Sequence, residues 1–249
     1  MSTVSIPDQA AAFRFTRGRT GCLMIHGLTG TPLVFRTMAA RLADRGISVD
    51  APLLPGHGTS PEDLIGVPWQ SWVESARTAW TDLRSACDRV ILVGHSVGGA
   101  IALYLAPEIG ADGVVAISSP AAFRTGWAFA LPVLRRFKRY WEKKRKPAAP
   151  EFGYDRYPLY ALAEMIKLLS RMRKRLPRVS CPALIMHAKN DPVVSSRNSV
   201  RIYRRIASKD KRIRLLDDPT HLIPLGLDAE AVYHEIERFC LEDKGVCVP

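Results

Sequence analysis

The sequence predicts an α/β fold, a mostly parallel, doubly wound sheet with helices on both faces, and three observations lead there. Apolar runs of strand length alternate with helix-period stretches along most of the chain. The run Arg89-Val-Ile-Leu-Val93 passes directly into Gly94-His-Ser-Val-Gly98 and then into an Ala/Leu-rich helical stretch. The alternation breaks once, between Pro120 and Pro182, over an interval far longer than an ordinary strand-helix connection.

Taken in order, Phe13-Arg-Phe-Thr16 suits a short edge strand, and Gly21-Cys-Leu-Met-Ile25 a buried strand ending in His26-Gly-Leu-Thr-Gly30. Thr31-Pro32 opens a helix, with proline in its first turn, that runs through Ala40 and Leu42 to a stop at Gly46. Ile47-Ser-Val-Asp-Ala51 is the next strand, and the loop Pro55-Gly-His-Gly58 leads to a helix from about Trp69 to Ala86. After the Arg89 strand and its following helix come a strand over Gly113–Ile117, ending at Ser118-Ser-Pro120, and another over Pro182–His187, ending at Asn190-Asp191-Pro192. A helix over about Ser196–Ala207, a strand over Lys211–Leu216 and a last helix from about Asp228 to Leu241 complete the pattern.

The interval between Pro120 and Pro182 holds an aromatic stretch, Phe123 to Phe129, the basic run Arg135–Lys146, a Pro-Ala-Ala-Pro150 break and a helix around Tyr160–Arg175. Sixteen Lys/Arg stand against four acidic residues between Ala121 and Arg178, so this segment carries the whole net charge of +12 and the rest of the chain is neutral. It leaves the sheet at a strand's carboxyl end, the side where α/β folds keep their chemistry. It is therefore expected to be a lid, at about 121–178, on a single domain spanning 1–249. Three readings of its charge stay open: a solvated face, a surface that docks on anionic lipid through the Trp127–Leu134 stretch and the basic run, or nucleic acid. No recognition motif accompanies the last, and no nucleic-acid partner is expected.

With 47% hydrophobic and 24% charged residues, composition is that of an ordinary globular protein. No apolar run approaches the roughly 18 to 20 residues that span a bilayer, and the first residues, Met-Ser-Thr-Val-Ser-Ile-Pro, lack the pattern of a secretory signal. Five cysteines without a CxxC pair suit free thiols in a reducing cytoplasm. No histidine pair has metal-ligand spacing, so neither metal nor cofactor is expected. The pattern does not indicate an oligomeric state.

The strand–Gly-x-Ser-x-Gly–helix run is the setting in which a serine becomes a nucleophile. Ser96 sits on a turn so tight that a Cβ at Gly94 or Gly98 would collide with the neighbouring strand or helix. The helix behind it aims free N–H groups at the place where an oxyanion would form. A serine hydroxyl needs a base within hydrogen-bond reach and an orienter for that base. Where a serine sits on such a strand–elbow–helix turn, the acid and then the histidine follow it along the chain, each on a loop after a strand. Asp191 follows the Pro182–His187 strand, and His221 follows the Lys211–Leu216 strand. Asp217 and Asp218 are rival acids, ranked behind Asp191 because they share the loop of the base. The expected oxyanion donors are the backbone N–H groups of Val97 and Leu28. His26, His57, His95 and His187 take structural readings: holding the Leu28 loop, shaping the Pro55–Gly58 loop, packing under the elbow, and core. His234 reads as helix surface.

His26-Gly-Leu-Thr-Gly30, Pro55-Gly-His-Gly58, Gly94-His-Ser-Val-Gly98, Asn190-Asp-Pro-Val-Val194 and His221 together resemble the α/β-hydrolase superfamily. Within it, the chain is similar to small bacterial carboxylesterases and monoacylglycerol lipases, over nearly everything from Phe13 to Leu241. The resemblance implies Ser96, Asp191 and His221 as a catalytic triad, Leu28 and Val97 as oxyanion donors, and a small lid at the insertion point. Tyr154-Asp155-Arg156-Tyr157-Pro158 resembles a lid segment whose acidic residue faces the alcohol part of the substrate. Trp127, Val194 and Leu222, with Phe123, Phe129, Leu131 and Leu28, are candidate acyl-pocket linings. The expected reaction is hydrolysis of short- to medium-chain acyl esters or monoacylglycerols through an acyl-enzyme. The alternatives are a thioesterase or acyltransferase using the same triad, and a non-enzymatic binding protein of the same fold.

Overall fold

The apolar runs become the middle of one large sheet. The computed structural model describes residues 10–122, 131–134, 137–143 and 153–242. Its strands are β1 (Phe13–Phe15), β2 (Thr20–Ile25), β3 (Ser48–Ala51), β4 (Arg89–His95), β5 (Gly113–Ile117), β6 (Tyr140–Glu142), β7 (Arg156–Pro158), β8 (Ala183–Ala188) and β9 (Lys211–Leu216). Its α-helices are α1 (Arg36–Asp44), α2 (Trp69–Ala86), α3 (Val97–Ile109), α4 (Leu131–Leu134), α5 (Leu159–Arg175), α6 (Arg197–Arg205) and α7 (Ala229–Leu241). Seven strands pair in the order β1-β3-β2-β4-β5-β8-β9, while β6 and β7 form a separate antiparallel pair. Every pairing in the large sheet is parallel except that of the edge strand β1 with β3.

Central strands are apolar at most positions because both faces are covered. Leu23, Ile25, Leu92 and Val114 join a core with side chains of α2, α3 and α5. Their strand neighbours Met24, Ile91, Val93 and Val115 point the other way, into a core built with α1 and α7. The helix expected from Pro32 begins as a 3₁₀ turn over Pro32–Phe35 and becomes α-helical only at Arg36. Proline at the first position, with no amide to donate, suits that tight start.

The segment between β5 and β8 contains elements that the sequence pattern does not reveal. The pair β6–β7 is three residues per strand, too short for alternation to show. The segment is tied down at several points. Asn198 Oδ1 in α6 accepts the amides of Ala121 and Ala122 at 3.0 and 2.9 Å, where the chain leaves β5. Gly153 bridges to Gly30, and the Tyr154 amide donates to Thr29 O at 2.8 Å. A Cβ at Gly153 would fall on that Thr29 carbonyl, so the approach requires glycine. The Tyr154 hydroxyl donates to Gly56 O at 2.9 Å. Further on, the buried carboxylate of Glu164 in α5 accepts the Trp69 amide at 3.2 Å. It caps α2, whose own N-cap, Pro68, has no side chain to do so.

The turn from β4 into α3 is the tightest place in the fold. Ser96 has φ 53° and ψ −119°, and α3 starts at the next residue. A Cβ at Gly98 would land on the carbonyl oxygen of Ile25 at the end of β2, and one at Gly94 on the backbone of Gly98. Gly98→Ala is therefore expected to destabilise the protein by more than about 3 kcal/mol in urea melts, because backbone rather than a movable side chain must yield. Gly110→Ala, at a left-handed helix cap with open space around it, should cost about 1 kcal/mol. Equal costs at the two positions would contradict this account of the turn.

Candidate active site

Strand order reverses at β2, with β3 to one side of it and β4 to the other. A crevice outside the carboxyl ends of strands opens at such a switch point. Ser96 follows β4 there, and the loop 26–30 follows β2. The two are in direct contact: a Cβ on Gly27 would lie 3.1 Å from Ser96 Cβ. Gly30 N donates to Gly27 O at 3.0 Å, so Leu28 and Thr29 form the corner of a turn whose closing bond leaves the Leu28 amide unused. Val97, first residue of α3, carries one of the amides that a helix start leaves without an intrahelical acceptor. Among the described residues, non-glycine φ is positive only at Thr29, Ser96 and Ser118. These three follow the adjacent strands β2, β4 and β5, so backbone strain gathers at one end of the sheet.

The loops after β8 and β9 bring Asp191 and His221 together. His221 Nδ1 lies 2.6 Å from Asp191 Oδ2. A carboxylate only accepts, so Nδ1 carries the proton and Nε2 keeps a free lone pair. Asp191 Oδ1 accepts the amides of Val193 and Val194, each at 2.8 Å. The Asp191 side chain has no exposed surface, and the His221 side chain keeps 14% of its own. Burial alone would raise the Asp191 pKa, but hydrogen bonds from His187 and His221, the His221 charge and the Val194 amide together hold it well below the usual carboxylate range. His95, which precedes Ser96, donates from Nε2 to the backbone carbonyl of His221 at 3.0 Å, and the two rings sit 4.9 Å apart. The elbow thus holds the His221 loop directly.

The rival acids are occupied elsewhere. Asp217 pairs with Lys189 at 2.8 Å. Buried Asp218 accepts the amides of Thr220 and Asp228, shaping the loop that carries His221. Val194 is buried beside Asp191, Leu222 is partly exposed next to His221, and Leu28 packs against the core. Trp127, Phe123 and Phe129 lie outside the described residues. Asp155 is half-buried, and its charge acts on Lys143, whose Nζ donates to Tyr154 O. Burial pulls the Lys143 pKa down to about 8, with Asp155 opposing. The Tyr157 phenol is raised by burial and then by the charge of Asp191, which sets β7 close to the acid. His187, expected as ordinary core, is buried but in contact with the acid: its Nε2 lies 3.2 Å from Asp191 Oδ2. The sequence gives no sign of that contact, since a histidine inside an apolar strand reads as core.

Three further imidazoles are buried and held neutral. The His26 Nε2 lone pair accepts the Leu54 amide at 3.0 Å, so its Nδ1 donates to Gly27 O at 2.9 Å and braces the Leu28 loop. His57 Nδ1 contacts the Leu54 and Pro55 carbonyls, and its ring stacks on Tyr154. Burial pushes His57 down to about 4 and His95 to about 3, and burial followed by the His57 charge lowers His26 strongly. Each folded value lies below the ordinary 6.5, so the unfolded chain takes up these protons first. Their stabilisation is complete above about pH 6.5 and is lost as pH falls toward the folded values. Urea melts are expected to show about 2 kcal/mol lost for each of His57 and His95 between pH 7 and pH 5, with His26 acting in the same direction. His57→Gln should flatten that slope by one such share. A stability independent of pH over this interval would contradict the neutral, buried assignment.

Known proteins match this chain over nearly their full length. A thermostable monoacylglycerol lipase from Bacillus sp. (strain H-257) is 30% identical over 242 residues, covering 95% of this chain and 96% of that one. A carboxylesterase from Bacillus subtilis (strain 168) is 23% identical over 232 residues, covering 91% and 94%. A solved structure from work on LipS and LipT, two metagenome-derived lipolytic enzymes, is 27% identical with a TM-score of 0.89, covering 95% of this chain and 99% of that one. The model of the alpha/beta hydrolase family matches residues 22–235. With the elbow, the strand order and these matches in agreement, the chain belongs to the α/β-hydrolase family.

Proposed function

We propose that the protein is a serine carboxylic-ester hydrolase acting through an acyl-enzyme on short- to medium-chain acyl esters or monoacylglycerols. The observation that carries this reading is the bond from His221 Nδ1 to the buried Asp191 carboxylate, on loops tied to the elbow that presents Ser96. That tautomer leaves His221 Nε2 as a base. Ser96 Oγ attacks the ester carbonyl carbon as its proton passes to Nε2, and Asp191 stabilises the imidazolium. The oxyanion is received by the Val97 and Leu28 amides. As the tetrahedral intermediate collapses, His221 gives the proton to the departing alcohol oxygen. Water then attacks the acyl-Ser96 by the same route and releases the acid. The full-length likeness to a monoacylglycerol lipase supports the choice of substrate class. The segment at about 121–178 serves as a lid over the site, a reading supported by its bonds to the Thr29 and Gly56 loops. Asp155, Trp127, Val194 and Leu222 are the proposed substrate contacts of the site.

Hydrolysis of p-nitrophenyl esters of graded chain length and of a monoacylglycerol tests this. Wild-type protein is expected to turn them over, with Ser96→Ala, His221→Ala and Asp191→Asn each lowering kcat by about 10⁴-fold or more. Preference for acyl-CoA, or undiminished turnover by Ser96→Ala, would overturn it.

The outer face of the lid is proposed to rest on anionic lipid, with the protein in the cytoplasm. Phe137 is 85% and Val133 61% exposed, and Lys138 and Arg139 are exposed beside them. Among the described residues no helix is long and apolar enough to cross a membrane. Phosphatidylglycerol vesicles are expected to retain the protein at low salt, and a Lys138→Glu, Arg139→Glu variant to bind at least about 10-fold more weakly, at roughly 1 kcal/mol per basic residue. Equal binding to neutral phosphatidylcholine vesicles, unchanged by salt, would contradict this.

A further inference from the structure

We infer that His187 is a positioning residue for the Asp191 carboxylate, a second imidazole donating to the same oxygen that orients His221; this rests on the reading of Ser96, His221 and Asp191 given above. His187 lies on β8 with no exposed surface, four residues before Asp191. Its Nε2 is 2.8 Å from the carbonyl oxygen of Val194 and 3.2 Å from Asp191 Oδ2. Both are acceptors, so Nε2 carries a proton, which it donates to the Val194 carbonyl with Asp191 Oδ2 beside it. Its Nδ1 lies 2.6 Å from the hydroxyl of Ser199, itself fully buried at the start of α6. That contact fixes the ring's rotation from the side opposite the acid.

These bonds form a closed ring. Val194 gives its amide to Asp191 Oδ1 and takes the His187 proton on its carbonyl, so the loop and the imidazole hold one another. The carboxylate then meets four N–H groups, the Val193 and Val194 amides on Oδ1 and the His221 and His187 imidazoles on Oδ2. The amides fix Oδ1. The direction in which Oδ2 faces His221 is set by the second imidazole. Loss of the His187 donor leaves Oδ2 with one partner and the carboxylate free to swing about the bond that the amides leave.

Two amide substitutions separate the two ends of the ring. The side-chain nitrogen of glutamine reaches the position of Nε2, and that of asparagine stops near Nδ1. His187→Gln retains the donor to Asp191, whereas His187→Asn retains only the partner of Ser199. With p-nitrophenyl butyrate as probe, His187→Asn is expected to lower kcat about 10- to 100-fold with KM unchanged, the scale of a misplaced catalytic group. His187→Gln should stay within about 3-fold of wild type. The low-field proton NMR line of the His221–Asp191 hydrogen bond should move in His187→Asn and stay in place in His187→Gln. Ser199→Ala, which removes one hydroxyl and no donor to the acid, should fold as wild type and give a smaller fall in kcat. Equal behaviour of the two amide variants, with the low-field line unmoved in both, would reduce His187 to packing and overturn the inference. Wild-type kcat in both Ser199→Ala and His187→Asn would do the same. Turnover by Ser96→Ala at the wild-type rate would instead remove the reading on which the inference rests.

Discussion

Asp191 keeps a carboxylate out of water, and the loops at this end of the sheet are arranged around that charge. An ionised carboxylate taken from water without compensation costs several kcal/mol or more. Here two amides and two imidazoles face it, and the balance lies on the side of the charged form. The consequence reaches His221. A fixed negative charge 2.6 Å from Nδ1 decides which nitrogen of that ring holds the proton, and so which is free to accept one. The Val193–Val194 turn exists to present its amides to the acid, and β8 and α6 supply the second imidazole and its hydroxyl support.

The same end of the sheet carries the fold's backbone strain. Ser96, Thr29 and Ser118 take positive φ on neighbouring strand ends, and glycines at 94 and 98 let helix and strands approach to contact. Residues in such conformations persist because the surroundings over-determine them. Here the surroundings are two cores of buried side chains, one on each face of the sheet, and a set of loop-to-loop bonds: His95 to His221, His26 to Gly27 and Leu54, Tyr154 to Thr29 and Gly56. Buried imidazoles do much of this tying because one ring can accept an amide on one nitrogen and donate on the other. The segment between β5 and β8 joins the network at the Leu28 turn itself, so its position and the geometry of the proposed oxyanion site are mechanically linked.

Most of the fold was legible in the sequence because central strands buried on both faces are unbroken apolar runs. The helix over Trp69–Ala86 and the strand over Lys211–Leu216 fall where their periodicity puts them. Ser96, Asp191 and His221 were legible as candidates from chain order and from their places after strands, and the structure brings the last two into contact. What stayed hidden depends on contacts between loops distant in sequence. His187 reads as core, and His95 as packing under the elbow, because burial and polar bonding leave the same trace in a strand. The β6–β7 pair is too short to show a period, and Tyr154 meets Thr29 across more than half the chain, where no local pattern exists.

The hydroxyl on the β4–α3 turn is the proposed nucleophile and His221 its proposed base. Reaction with a fluorophosphonate, followed by intact-mass and peptide mass spectrometry, tests it most directly. The account predicts a single phosphonyl adduct on Ser96, absent in Ser96→Ala and formed far more slowly in His221→Ala. An adduct on another residue, or labelling of Ser96 at the same rate without the imidazole at 221, would contradict it.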